Sequence, residues 1–263
     1  AEMETALEDV EKAQGKKLGD PKNPLLLSVR SGAKFSMPGM MDTVLNLGLN
    51  DEVAEGMIAK GADARFVYDS YRRLIMMLSD VAFGDRYEGI SKHVFEHQFY
   101  DLKSELGVKE DLEVSADSLK ALCDRYKAFL ITKGITFPQD AREQLKEAVE
   151  AVFRSWNNDR AIIYRRKEKI DDAIGTAVNV QAMVFGNMGD DCGTGVAFTR
   201  NASTGENVVF GEYLMNAQGE DVVAGVRTPL ELEDLQKRNP EIYNEFVNVC
   251  HVLEHHYKDM QDI

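Results

Sequence analysis

The first strong apolar signal in the chain is LLLSV, which follows a short charged helix and the turn-rich GDPKNP and predicts a buried strand over Leu25 to Val29. That strand runs into Arg30 and then SGAKFSMPGMMDT, where Gly32, Pro38 and Gly39 suit neither strand nor helix, so a loop is expected. From about residue 50 to 157 the period is helical. Tyr71, Leu74, Ile75, Leu78 and Ala82 form one stripe; Phe95, Phe99, Leu102 and Leu106 form another, with Ser91 as N-cap and Gly107 as stop. Leu119, Leu122, Tyr126 and Leu130 lie between Ser115 and Gly134, and a fourth helix near Pro138 turns Leu145, Val149, Val152, Phe153 and Trp156 inward.

The period then drops to two. In TAVNVQAMVFG, Val178, Val180, Ala182 and Val184 alternate with Asn179, Gln181, Met183 and Phe185, which reads as a strand. VAFTR and NVVFGEYL follow between the breaks NMGDDCGTG and NASTGE, so a meander of short antiparallel strands is expected. A last helix after Pro240 aligns Ile242, Phe246, Val249, Leu253 and Tyr257. The fold class is α+β, a helical insert flanked by sheet-bearing segments.

Composition narrows the function. The 263 residues hold 45 acidic and 31 basic side chains, a net charge of -14, which disfavours a nucleic-acid backbone as partner. No apolar run approaches the roughly 20 residues needed to span a bilayer, so no membrane role is expected. Cys123, Cys192 and Cys250 are odd in number and far apart, which argues against a disulfide framework or a cysteine zinc site and for a reducing compartment. The N-terminal AEMETALEDVEKAQGKK has no secretory h-region, and the chain reads as an excised piece of a longer protein.

Three constellations offer chemistry. Arg30, at the end of a buried strand and opening a glycine-bearing loop, can give bidentate hydrogen bonds to a phosphate, although strand-end arginines also serve as salt-bridge partners. Lys34 adds a second cation four residues later, and Arg72 and Arg73 a third and fourth on a helix, where basic residues usually make only a solvated face. In the turn GDDCGTGV, Gly193, Thr194 and Gly195 bring main-chain N–H groups and a hydroxyl to where a phosphate could sit, though such turns usually exist to supply positive φ. HVLEH matches an inverted zinc-protease pattern through His251, Glu254 and His255; with only eight residues remaining, a solvated helix face is the preferred reading. Neither a Walker motif, a GxGxxG opening a helix, nor GxSxG occurs.

The ordered strings SVRSGAKFSMPGMMDTVLNLGLND, YDSYRRLIMMLSDV, VFRSWNNDRAIIYRR, GTAVNVQAMVFGN, GTGVAFTRNASTGE and GEYLMNAQGEDVVAGVRTP together resemble the pyruvate, phosphate dikinase family, essentially end to end. The related phosphoenolpyruvate synthases are the alternative, but do not usually carry MPGMMDT after the arginine. The resemblance implies an ATP-grasp nucleotide-binding domain incomplete at both ends: residues 1–49 begin its first subdomain, 50–137 are a helical insert, 138–175 return to the first subdomain, and 176–263 form a truncated sheet subdomain. It implies ATP and Mg2+ as ligands, a swivelling phosphohistidine domain elsewhere in the same polypeptide, and a homodimeric parent. That parent converts ATP, phosphate and pyruvate to AMP, pyrophosphate and phosphoenolpyruvate. Cytoplasm is the expected compartment, with chloroplast and protist organelle also represented in the family.

Carried over by position, the resemblance puts Arg30, Gly39 and Arg73 at the ATP phosphates, Thr194 and Gly195 in a loop closing over the polyphosphate, and Gln181, Met183 and Glu220 in the nucleotide pocket. Asp262 matches the first of two magnesium-binding acids. No catalytic residue is expected in the piece, because the phosphohistidine segment is absent. The N-terminal lysine-bearing segment, the second acid and the last glutamine- and arginine-bearing strand are absent too, so weak or no ATP binding and no turnover are expected of the fragment. A non-catalytic nucleotide-responsive or interaction module is the second reading.

Overall fold

The apolar run at residues 25–29 splits into two strands in the computed structural model, which describes residues 2–223, 225 and 227–263. Ala1, and Ala224 and Val226 of the GEDVVAGVRTP string, lie outside the described residues. Two units form, Ala1–Met183 and Val184–Ile263.

The first unit opens with α1 (Glu2–Gln14), β1 (Lys17–Leu18), β2 (Pro24–Leu25) and β3 (Leu27–Gly32), where β1 and β2 pair in parallel. Strand β4 (Thr43–Leu47), inside a stretch that pattern alone left unassigned, lies antiparallel to β3. Six helices follow: α2 (Asp51–Ala59), α3 (Ala64–Phe83), α4 (Lys92–Leu106), α5 (Ala116–Thr132), α6 (Ala141–Ser155) and α7 (Asp159–Glu168). Their starts are set by side chains that satisfy otherwise orphan N–H groups: Asn50, Asp63, Ser115, Asp140 and Asn158 each accept from the first turn. Ser91 precedes α4 without such a bond, and Gly107 ends it at φ 70°.

Helix α3 is buried along nearly its whole length, and packs against β4, α5 and α6. Its apolar stripe is as expected, with Tyr71, Leu74, Ile75, Leu78 and Ala82 all closed off from water. Tyr126 of α5 meets Phe95 edge-on, with centroids 5.0 Å apart, and donates its hydroxyl to the Phe95 carbonyl at 2.8 Å. Two expected inward residues point out instead: Leu106 and Phe153 are 44% and 49% exposed. Phe153 lines a groove with Leu7, Leu27 and Val180.

Strand β5 (Ala177–Ala182) does not begin the C-terminal meander. It pairs antiparallel with β3, from Leu27 opposite Ala182 to Gly32 opposite Ala177, and completes the sheet β4-β3-β5. The second unit holds a separate antiparallel sheet in the order β6-β7-β8: β6 (Gly193–Phe198), β7 (Phe210–Met215) and β8 (Leu230–Glu231). A short helix α8 (Gly219–Val223) packs on Leu214 of this sheet through Val222, whereas α9 (Leu232–Arg238) and α10 (Pro240–Tyr257) bury Tyr213, Leu232 and Cys250. Gly211 is required by close approach: a Cβ there would stand 2.3 Å from the Val196 carbonyl oxygen.

Candidate functional site

Arg30 is not at the end of its strand. Strand β3 runs two residues further, to Gly32, and Arg30 lies within it, opposite Thr43 of β4 and Asn179 of β5. The strand continues because Ser31 and Gly32 find partners in Val178 and Ala177 of β5, which outweighs the low strand propensity of Gly32. Paired residues project to the same face and successive ones alternate, so Arg30 shares a face with Ser28, Asn179 and Gln181. That face is exposed at Arg30, Asn179 and Gln181, whereas the opposite one buries Leu27 and Val29. Two expected nucleotide contacts, Arg30 and Gln181, thus stand on one open polar face of rigid strands, the setting in which binding residues concentrate.

Met183, just past β5, donates its N–H to the Leu26 carbonyl at 3.0 Å, and its Sδ accepts the Asn46 N–H at 3.1 Å. The loop after β3 holds Gly39 in the left-handed region at φ 70° with open space around it. Its far end is tied down. The Met40 carbonyl accepts from Asn158 Nδ2 at 3.2 Å and Arg160 Nε at 3.1 Å, Asp42 pairs with Arg160, and the Asp42 N–H donates to Ser155 Oγ at 3.1 Å. Burial raises the Asp42 carboxyl above its ordinary value, although the Arg160 guanidinium opposes this.

Arg73 lies inside the helical layer. Its Nε donates to Asp69 Oδ2 at 3.0 Å, while Asp69 Oδ1 accepts from Arg72 Nε at 2.8 Å. Arg72 also stacks over Phe99, 4.0 Å from the ring centre. These two arginines are buried, contrary to the solvated helix face that their charge suggested. Burial alone would raise the Asp69 carboxyl, but Arg72, Arg73 and Arg65 overcome it and bring it down to about 2. Asp69 is the partner of Arg72 and Arg73 that sequence reading missed. Its signal was there, since Asp69, Arg72 and Arg73 stand at i, i+3 and i+4.

In the second unit the GTG residues are not in a turn. Gly193, Thr194 and Gly195 belong to β6 and pair with Met215, Leu214 and Tyr213. The turn is shorter, closed by Cys192 N–H to the Gly189 carbonyl at 3.2 Å. Thr194 therefore spends its main-chain groups on β7, and only its hydroxyl remains available, on the α8 side of the sheet; a Cβ at Gly219 would stand 3.8 Å from its Oγ1. Asp262 bridges to Phe198 and so projects to the same face as Thr194, with Glu220 in the first turn of α8. Thr194 and Asp262 thus share the α8 side of this sheet while Gly195 turns to the other, and of the first unit's candidates Arg30 and Gln181 share a face whereas Arg73 lies in the helical layer.

Glu254 of HVLEH pairs with Arg200 at 2.6 Å, and no group of three or more His, Cys, Asp or Glu able to hold a metal exists among the described residues. Asp262 likewise belongs to no such group and is an exposed single carboxylate. Among the described residues no helix is long and apolar enough to cross a membrane.

A family model described as "Pyruvate phosphate dikinase, AMP/ATP-binding domain" matches residues 1–249. The chain is 55% identical over 263 residues to the chloroplastic pyruvate, phosphate dikinase of Mesembryanthemum crystallinum, covering 100% of the chain and 27% of that protein. It is 54% identical over 256 residues to the pyruvate, phosphate dikinase of Clostridium symbiosum, covering 97% of the chain and 29% of that protein. The chain thus spans between a quarter and a third of the length of these curated relatives.

Proposed function

The chain belongs to the pyruvate phosphate dikinase AMP/ATP-binding domain family, and from that premise we propose that it is the phosphoryl-donor part of a dikinase. The parent reaction would turn ATP, phosphate and pyruvate into AMP, pyrophosphate and phosphoenolpyruvate by way of a phosphohistidine on a swivelling domain of the same polypeptide, in a homodimer. The observation that carries the reading is identity above 50% over 97–100% of the chain, to proteins bearing that name from a plant and a bacterium.

The reading assigns the fold to the ATP-grasp type, with the helical layer of residues 50–137 as an insert. Arg30 and Arg73 neutralise phosphate charge, Gly39 lets the anchored loop approach, and Thr194 and Gly195 close over the polyphosphate. Gln181, Met183 and Glu220 line the nucleotide pocket. Phosphoryl transfer rests on positioning and charge neutralisation, which a guanidinium on a rigid strand suits. Mg2+, when bound, would screen the phosphates. Asp262 suits that ion only as one ligand among phosphate oxygens and waters, because Mg2+ commonly takes one or two carboxylates. Three free thiols are compatible with a reducing compartment such as the cytoplasm.

The test is AMP formation from ATP, phosphate and pyruvate by the longer parent. Arg30→Ala in that parent is expected to abolish it; undiminished turnover would refute the role of Arg30, and AMP release indifferent to pyruvate and phosphate would refute the reaction. By itself the 263-residue chain is expected to bind MgATP weakly and to turn nothing over.

A further inference from the structure

Helix α4 carries two histidines one turn apart. His93 and His97 stand at i and i+4, away from the buried face of Phe95, Phe99 and Leu102, and their side chains are 91% and 75% exposed. Residues at this spacing are neighbours on one helix face, with Cβ atoms about 5–6 Å apart. Each ring is also held from one side by a carboxylate. His93 Nδ1 lies 3.2 Å from Glu96 Oε2, and His97 Nδ1 lies 2.9 Å from Asp101 Oδ2. An ionised carboxylate can only accept, so in the neutral imidazole the proton belongs on Nδ1 and the lone pair on Nε2, at the far side of the ring. In metal sites a carboxylate placed this way orients the ligating histidine and raises the basicity of its other nitrogen.

The nucleotide reading uses neither residue. Exposed pairs of this kind contribute little to stability; what these two do is fix both rings at once, with two unprotonated nitrogens on one face. Two histidines at i and i+4 on a helix are the spacing by which helical zinc motifs present a pair of ligands. The other such pair of the chain, His251 and His255 on α10, has the same spacing, but the carboxylate between them, Glu254, is taken by Arg200 at 2.6 Å.

We propose that His93 and His97 bind one divalent transition-type ion, Zn2+ or Cu2+, through their Nε2 atoms. Imidazole suits these ions, whereas Mg2+ prefers oxygen ligands. Among the described residues no third His, Cys, Asp or Glu completes a cluster there, so water fills the remaining positions and the ion exchanges with solvent. Glu96, which also pairs with Lys92 at 3.4 Å, and Asp101 stay behind the rings as orienting groups. The ion staples the first turn of α4. That turn begins without a side-chain bond from Ser91 and rests instead on Asp80, whose Oδ1 accepts the Lys92 N–H at 2.7 Å. The inference is independent of the nucleotide reading and of its Mg2+.

The test uses the full 263-residue chain with the exposed His251, His255 and His256 changed to alanine, which leaves His93 and His97 as the remaining two of its five histidines. Zn2+ is titrated by calorimetry and Cu2+ by electron paramagnetic resonance at neutral pH. One ion per chain is expected, with hyperfine structure from two nitrogens on Cu2+. Adding His97→Ala is expected to weaken binding about a hundredfold, because the second ligand then no longer closes an intramolecular chelate. His97→Ala with Gln98→His keeps the number of imidazoles but turns one of them about 140° around the helix, and should bind no better than His97→Ala. Zn2+ at about ten times its dissociation constant is expected to slow amide exchange over residues 95–97 about tenfold, and Mg2+ to leave it unchanged. Undiminished binding in His97→Ala, recovery on moving the imidazole to position 98, or a Cu2+ spectrum with a single nitrogen would overturn the proposal. So would amide exchange that Zn2+ leaves untouched at saturation.

Discussion

Asp69 Oδ2 receives the Nε–H of Arg73 at 3.0 Å within a helix that is buried on nearly every side. A single carboxylate therefore serves two buried guanidiniums, because its other oxygen is taken by Arg72. Removing its charge takes from both cations the counterion they share in a low-dielectric layer. Asp69→Asn is expected to cost about 3–5 kcal/mol, read as a fall in the urea midpoint, whereas Asp69→Glu should recover part of it. A midpoint unchanged by Asp69→Asn would refute the pairing.

The same carboxyl sets an acid limit. Its folded value of about 2 lies below its ordinary 3.8. A depressed acid contributes stability that is complete above the ordinary value and is lost as pH falls toward the folded one, so this contribution, about 2 kcal/mol, should disappear between roughly pH 4 and 2. Unfolding free energy measured along that interval in the parent chain and in Asp69→Asn should converge at the acid end. Parallel curves would show that Asp69 is not the group responsible.

Gln144 is fully buried and bonds three main-chain groups: its Nε2 donates to the Leu49 and Pro138 carbonyls, each at 2.9 Å, and its Oε1 accepts the Gly48 N–H at 3.1 Å. Gln144→Leu keeps the volume but leaves all three unpaired. A loss of about 2–4 kcal/mol is expected, and Gln144→Glu should also be harmful, since a carboxylate cannot donate to the two carbonyls. Thermal melts of both variants decide the matter; a neutral Gln144→Leu would mean that water replaces the side chain.

Gly56 lies in α2, where alanine ordinarily gains about 1 kcal/mol over glycine. Here a Cβ would stand 2.2 Å from the Pro21 carbonyl oxygen. Gly56→Ala is therefore expected to destabilise by about 1–3 kcal/mol, against the propensity trend, and a raised melting temperature would show that the 20–24 turn yields.

The three thiols differ in access. Burial pushes the Cys123 thiol far up and also raises Cys250, and both are closed off from solvent, while Cys192 is partly open on its turn. Native protein should yield one thiol to a disulfide reagent promptly and two more only on unfolding. Three prompt equivalents would contradict the packing around Cys123.

The helices were legible because period is local, and Ser115 and Gly107 mark ends where the sequence suggested them; the caps Asp63 and Asp140 came only with the structure. Strand partners were not legible. Whether β5 joins β3 or β6 depends on segments far away in sequence, and period two is the same in either case. The extents of β3 and β6 were misread for a related reason. Gly32, Gly193 and Gly195 signal loops by propensity, but neighbouring strands on the ladder hold them extended. For the candidate site, residue types were legible at Arg30 and Arg73, but the burial of Arg73 and its tie to Asp69 needed the packed layer.

The pairing of β3 with β5 has a consequence for the order in which the chain can fold. Ser28 and Gln181 meet across 153 positions of sequence, and all the helices from α2 to α7 are made between them. At ribosomal rates of about 5–20 residues per second, β3 emerges on the order of ten seconds before β5 exists. In that interval its Leu27 edge is protected only by β4, and an unpaired strand edge invites association with other chains. Nascent chains stalled anywhere in the helical layer are thus expected to be the aggregation-prone species, and the synthesis of β5 to be the step that relieves them.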